Sequence, residues 1–149
     1  MAEVSAPSDL EAIKALKYRY VRCLDTKDWD GFATCMTPDV TCDYSGLRFD
    51  DRDALIAYMQ TNLVGILTTH QVHHPEISID GDTASGRWYL YDRVLAPEHD
   101  FYLEGAAFYA DRYVRTDDGW KIAHTGYART WELTGKLSSL GAVQSDQAS

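Results

Sequence analysis

The sequence predicts an α+β fold in which about three N-terminal helices cover the concave face of a curved, mainly antiparallel sheet. Three observations carry this reading. Apolar residues recur at threes and fours through the first third of the chain, the spacing changes to two after Gly65, and Asp80-Gly81-Asp82 and Thr116-Asp117-Asp118-Gly119 supply turn residues where long strands must reverse. Helices first and hairpins after form two layers, and a cavity is the natural space between them.

The elements follow in order. Ser8-Asp9-Leu10-Glu11 reads as a capping box that starts the first helix. Leu10, Ile13, Leu16, Tyr20 and Leu24 form its inward stripe, with Lys14 and Arg22 nearer the opposite side, and the helix fades near Asp28. Asp28 caps a second short helix, Trp29 to Met36, which stops before the Thr37-Pro38-Asp39 turn. Val40 to Tyr44 reads as a strand, Ser45-Gly46 as a turn before Leu47 to Phe49, and Asp50 or Asp51 as the cap of a third helix facing inward through Leu55, Ile56, Met59 and Leu63. His74 to Ile79 pairs with Ala84 to Val94 as a hairpin, and Phe101 to Arg115 with Trp120 to Trp131 as another. From about Ser138 the chain is Ser-, Gln- and Ala-rich without period and is expected to fray. The expected organisation is one domain over residues 9–134, between a disordered N-terminus, 1–8, and a flexible tail, 135–149.

Composition narrows the function. A chain of 149 residues buries roughly two-thirds of its unfolded surface, enough for a core and a pocket together. Lys and Arg total 14 against 23 Asp and Glu, a net charge of −9, and the absence of a basic run argues against a nucleic-acid partner. Cys23, Cys35 and Cys42 are odd in number and lack C-x-x-C spacing, which disfavours a disulfide framework and a zinc knuckle and suits a cytoplasmic location. With no targeting segment and no apolar run of membrane-spanning length, the chain is expected to be soluble, unexported and without a membrane partner. Four Trp, ten Tyr and four Phe fit either a large core or a pocket for a flat apolar ligand.

Among residues that could carry chemistry, Asp25 stands out. It lies at the C-terminal end of the first helix, where the macrodipole disfavours a negative charge by about 0.3–1 kcal/mol, so a partner elsewhere is expected. The cluster His70-Gln71-Val72-His73-His74 offers one. An imidazole held by a carboxylate has a fixed tautomer and a free nitrogen, a general base suited to neutral pH. The alternative is a solvated aspartate in the Asp25–Asp30 turn. His70 and His74 also have the i, i+4 spacing of helical metal ligands, but the segment reads as a strand, with no H-E-x-x-H glutamate and no third ligand, so no metal is expected. Alternation turns His70 and His74 to one side and His73 to the other, unless Pro75 makes a bulge.

Asp92 shares a strand face with Trp88, Leu90 and Val94, so it needs a pocket or an ion-pair partner, for which Arg87, Arg93 and Arg112 are candidates. Tyr20 and Tyr44 are either core tyrosines or donors to a developing oxyanion. Tyr127 and Arg129 alternate with Trp120 and Ile122, which puts them on a polar face, with Arg129 a surface cation or a buried clamp. No Gly-rich phosphate loop and no G-x-S-x-G elbow is present.

The stretches Leu10-Glu11-Ala12-Ile13-Lys14, Tyr20-Val21-Arg22-Cys23-Leu24-Asp25, His73-His74-Pro75-Glu76-Ile77, Gly86-Arg87-Trp88-Tyr89-Leu90, Ala107-Phe108-Tyr109 and Thr125-Gly126-Tyr127, in this order over residues 9 to 133, carry a resemblance. The chain resembles the polyketide-cyclase-like (SnoaL-like) branch of the nuclear transport factor-like, cystatin-like α+β cone superfamily, and within it the bile-acid 7α-dehydratases. The resemblance implies a cofactor-independent homotrimer with an Asp-His dyad on Asp25 and His70, Tyr20 as a catalytic donor, and substrate-binding roles for Tyr44, Asp92 and Arg129. Between Asp92 and Gly105 the chain is shorter than that family's pattern by about three residues, and His99 or Tyr102 is the expected stand-in for a pocket tyrosine of that loop.

The expected function is a hydro-lyase that removes water from a 7α-hydroxy-3-oxo-Δ4 steroid or bile-acid-type substrate, a small apolar ring ligand, without a cofactor. The competing expectations are another cone enzyme on an apolar ring, whether isomerase, aromatic dehydratase or dehydrohalogenase, and a non-catalytic steroid-binding module.

Overall fold

In the computed structural model, which describes residues 7–146, three helices pack on one face of a curved six-stranded sheet. Helix α1 runs Asp9–Thr26, α2 Trp29–Thr34 and α3 Arg52–Asn62, and the strands are β1 Met36–Tyr44, β2 Leu47–Phe49, β3 Leu67–Asp80, β4 Thr83–Ala96, β5 Phe101–Thr116 and β6 Gly119–Gly135. Their order across the sheet is β2-β1-β6-β5-β4-β3, with β1 parallel to β6 and every other pair antiparallel. The fold is the expected α+β arrangement with a mixed sheet. Most of the expected N-terminal segment, 1–8, lies outside the described residues.

The helix caps follow the sequence. Ser8 accepts from the Glu11 backbone N–H at 3.3 Å, while the Glu11 carboxylate turns to Lys14 instead of completing the box. Asp28 caps α2 through the Gly31 N–H at 2.9 Å, and Asp51 caps α3 through the Ala54 N–H at 2.7 Å. At the end of α1, Lys27 takes a left-handed conformation (φ 57°), and the Asp28 N–H closes back on the Cys23 carbonyl at 2.9 Å. Helix α2 ends two residues earlier than its apolar pattern implies, because Met36 already pairs with Ile122 in the sheet. Pro38, which has no N–H to donate, falls within the irregular register between Met36 and Thr41.

The core lies between α1, α3 and the inner face of the sheet, with Ile13, Phe32, Val40, Leu55, Leu90, Ala107 and Ile122 excluded from solvent. The inward stripe of α1 is Ile13, Lys17, Tyr20 and Leu24, whereas Leu10 is exposed. Lys17 is wholly buried. Its Nζ lies 2.8 Å from Asp111 Oδ2, both side chains are 0% exposed, and Asp111 also accepts from Thr125 at 2.7 Å and Tyr113 at 2.8 Å.

Three one-residue bulges shape the sheet where function concentrates. Between the pairs Arg112–His124 and Tyr113–Ile122, β6 carries Ala123 as an extra residue, and the side chains from there to Arg129 change face, until a second extra residue, Thr130, restores the earlier alternation. The simple alternation that separates Tyr127 and Arg129 from Trp120 and Ile122 is thereby corrected: Thr125, Tyr127 and Arg129 face inward as Trp120 and Ile122 do. On β3 the register slips between His73 and Glu76, with His74 left-handed (φ 49°) ahead of Pro75, and both His73 and His74 are exposed.

At the C-terminal end, β6 continues to Gly135 and a 3-10 turn, Leu137–Ser139, follows. Leu137 is buried, and Asp100 accepts from both the backbone N–H (2.7 Å) and the hydroxyl (2.9 Å) of Ser138. No helix among the described residues is long and apolar enough to cross a membrane.

Candidate active site

A cavity of about 440 Å³ lies between the helices and the sheet, within the range of roughly 300–1,000 Å³ usual for small-molecule sites. Tyr20 and Leu24 of α1, Tyr58, Met59 and Leu63 around α3, and Tyr44 and Leu47 of the β1–β2 hairpin form one side of it. Thr68 and His70 of β3, Asp92 and Val94 of β4, Leu103 and Tyr109 of β5 and Tyr127 and Arg129 of β6 form the other. Leu47 and Tyr58 are partly exposed at its edge.

Asp25, one residue beyond the cavity-lining Leu24, turns toward β3. Its Oδ1 lies 2.6 Å from His70 Nδ1 and accepts from Thr68 Oγ1 at 2.9 Å, and its Oδ2 accepts from the His70 backbone N–H at 2.8 Å. Three donors on one carboxylate offset its unfavourable place at a helix C-terminus. The side chains are 21% and 11% exposed for Asp25 and His70, so the pair is shielded but reachable. With Nδ1 donating to Asp25, Nε2 is the imidazole nitrogen left to meet a ligand.

Tyr20 and Tyr44 line the same cavity with their hydroxyls 2.5 Å apart. Burial, the largest cause, pushes both phenols well above their ordinary range, so each keeps its proton and remains a donor. Tyr20 is held by the rings of Phe32 and Tyr109, and Tyr44 by Tyr127. Behind them, Lys17 Nζ sits 3.4 Å from the centroid of Tyr109 and 4.5 Å from that of Tyr20.

Asp92 is buried, and its partner is Arg129 rather than Arg87, Arg93 or Arg112. Arg129 donates from Nη1 to Oδ1 at 2.6 Å and from Nη2 to Oδ2 at 2.8 Å, and the carboxylate raises the guanidinium above its already high range. The Ala123 bulge turns Arg129 inward to make this pair, and Gly105, opposite Asp92, makes room for it: a Cβ there would lie 2.5 Å from Arg129 Nη1.

Two expected residues lie elsewhere. His99 is exposed in the 3-10 turn Pro97–His99, and Tyr102 packs against Gly135 on the opposite face of β5 from Leu103. The short β4–β5 connection continues the ladder up to Ala96–Phe101, so it holds no loop long enough to fold back over the cavity, and Leu103 occupies that wall. Thr68, Tyr109 and Tyr127 were reachable from sequence through alternation with His70, Asp111 and Arg129, once the bulges are known. Among the described residues no group of three or more potential ligands is placed to hold a metal ion.

The arrangement sets a carboxylate-oriented imidazole and a pair of neutral phenols around one chamber, the elements for moving a proton near a carbonyl. Comparison with known proteins agrees with the fold. An uncharacterised Mycobacterium tuberculosis protein, Rv2910c, is 31% identical over 126 residues, 82% of this chain and 86% of that protein. An aspartate-to-asparagine variant of Rv3472, a protein of unknown function from the same organism, superposes with a TM-score of 0.72 at 27% identity, over 81% of this chain and 71% of that one. The hexachlorocyclohexane dehydrochlorinase LinA-type3 of Novosphingobium barchaimii LL02 shares the fold with a TM-score of 0.75 at 16% identity, over 85% and 94% of the two chains. The SnoaL-like domain matches residues 6–126, and with that match this chain belongs to the SnoaL-like family.

Proposed function

We propose that this protein is a cofactor-independent dehydratase acting on a hydroxylated fused-ring ketone, a 7α-hydroxy-3-oxo-Δ4 steroid or bile-acid-type molecule. The observation that carries the reading is that His70, held from behind by Asp25, lines the same cavity as the Tyr20–Tyr44 pair. The enone acidifies the hydrogen at the end of its conjugation. His70 Nε2 takes that proton, Asp25 stabilises the imidazolium, and a phenol of the tyrosine pair donates to the dienolate oxygen. The dienolate then expels the hydroxyl group, which leaves as water with the proton that His70 carries. Asp92 is not the donor in this scheme, because Arg129 engages both of its oxygens.

The apolar lining from Leu24, Leu47, Met59, Leu63, Val94 and Leu103 supports a ring substrate. The shared fold with a protein named as a dehydrochlorinase supports elimination as the reaction class, and keeps loss of halide from an apolar ring as the second reading. The protein is taken to work as a cytoplasmic homotrimer, which light scattering checks.

The test is incubation of purified protein with a 7α-hydroxy-3-oxo-Δ4 steroid followed by mass spectrometry. Loss of one water is the expected result. Conversion without a mass change marks an isomerase, and binding without conversion marks a non-catalytic carrier; either overturns the proposal.

A further inference from the structure

The charges that reach the cavity are matched within the protein. Arg129 is the one Lys or Arg among the described residues lining it, and its two terminal nitrogens are taken by Asp92. Its Nε lies 3.5 Å from Glu132 Oε2, and its guanidinium lies 5.1 Å from the centroid of Tyr127. The Gly105 backbone backs the guanidinium closely enough that a single added methyl carbon would collide with it, so it is seated rather than free to swing toward a ligand. Asp25 adds a further carboxylate behind His70. Lys17, behind Tyr20 and Tyr109, is likewise paired, with Asp111 at 2.8 Å, so both cations near the cavity are already matched in a chain whose net charge is −9, and the field an entering ligand meets is neutral to negative.

We propose that Asp92 is a specificity residue: by neutralising Arg129 it restricts the cavity to uncharged ligands, so that the portion of the ring ketone that enters carries no carboxylate. This rests on the reading of the cavity as a ring-ketone site, and within that reading it selects neutral steroids over bile-acid anions. A carboxylate entering the cavity would lose its hydration with no uncompensated cation to replace it, whereas a carbonyl or hydroxyl needs only the donors present.

Equilibrium dialysis at pH 7.5 with two ring-matched probes tests this: testosterone, which is neutral, and 3-oxo-4-androstene-17β-carboxylate. The wild-type protein is expected to hold testosterone at least about tenfold more tightly. Asp92→Asn leaves the Arg129 charge uncompensated and is expected to move the ratio of the two dissociation constants by about tenfold or more toward the carboxylate. The double variant Asp92→Asn/Arg129→Gln removes both charges and is expected to keep the wild-type preference. Wild-type protein that binds the carboxylate as tightly as testosterone, or an unchanged ratio in a folded Asp92→Asn protein, would overturn the inference. Turnover is read separately with 7α-hydroxy derivatives of both probes. Preference for the neutral probe without water loss sinks the dehydratase and leaves the inference standing; equal water loss from both does the reverse, and binding of neither sinks both.

Discussion

Asp25→Asn is the perturbation that tests the dyad most sharply, because it keeps the size of the side chain and changes only its charge and its hydrogen-bonding pattern. In the wild type the carboxylate accepts from His70 Nδ1, the His70 backbone N–H and Thr68 Oγ1. An amide has a single acceptor oxygen, which serves the backbone N–H, and its NH2 then faces the imidazole and favours the tautomer with Nδ1 unprotonated. Nε2 would carry the proton, so the base is disabled at its source, and the imidazolium loses its counter-charge. The expected loss is about 10²- to 10⁴-fold in kcat, or roughly 2.7–5.5 kcal/mol at about 1.4 kcal/mol per decade, with KM changed little. The stability cost is smaller, about 1–2 kcal/mol for one or two weakened bonds at a half-shielded site. The assay follows water loss from the hydroxy-enone by mass spectrometry, with circular dichroism and urea unfolding confirming that the variant is folded. A folded Asp25→Asn protein retaining more than about a tenth of wild-type kcat would refute the reasoning.

Other predictions bear on the surroundings. Tyr20→Phe breaks the phenol pair and, by removing an oxyanion donor, is expected to lower kcat by about 10²- to 10³-fold; steady-state kinetics with no change in kcat would rule out that role. Lys17→Met leaves Asp111 buried without its cation and should cost about 3–5 kcal/mol in urea unfolding, with much of the loss recovered when Asp111 is replaced by Leu in the same chain. Asp9 is held down to about 2 by hydrogen bonds from Arg115 and Trp120. A carboxyl lowered on folding contributes stability that is present above its unfolded value of 3.8 and lost as pH falls through about 2, so the gap in urea midpoint between wild type and Asp9→Asn should narrow from pH 5 downward; a gap that widened instead would count against this clamp.

The parts of the fold legible in the sequence were those written in local chemistry. Ser8, Asp28 and Asp51 announce helix starts because a capping oxygen must stand beside the N–H groups it satisfies, and Asp80-Gly81-Asp82 announces a hairpin because few residues tolerate its backbone. The meeting of Asp25 with the His70 segment was legible as an unmet need, a negative charge where the helix dipole opposes it. Pro75 marked the bulge on β3, but those on β6 were not legible. An extra residue such as Ala123 has no distinctive side chain, yet it reverses the facing of Tyr127 and Arg129 and so decides which arginine reaches Asp92. Lys17 and Asp111 look like surface charges by type. Their spacing, four residues from Ile13 and midway between Tyr109 and Tyr113, was the available signal that they are buried.

Helix α1 is pinned at both ends by carboxylates that belong to different tasks. Asp9 grips Arg115 on β5 at its start, with both bonds at 2.8 Å, and Asp25 reaches β3 at its finish. Since the proposed base is oriented only while the far end of that helix is docked, catalytic output doubles as a gauge of a single seating event. Mild denaturant that frees the last turn of α1 would silence the proposed activity while the six strands remain paired, and inactivation would precede unfolding.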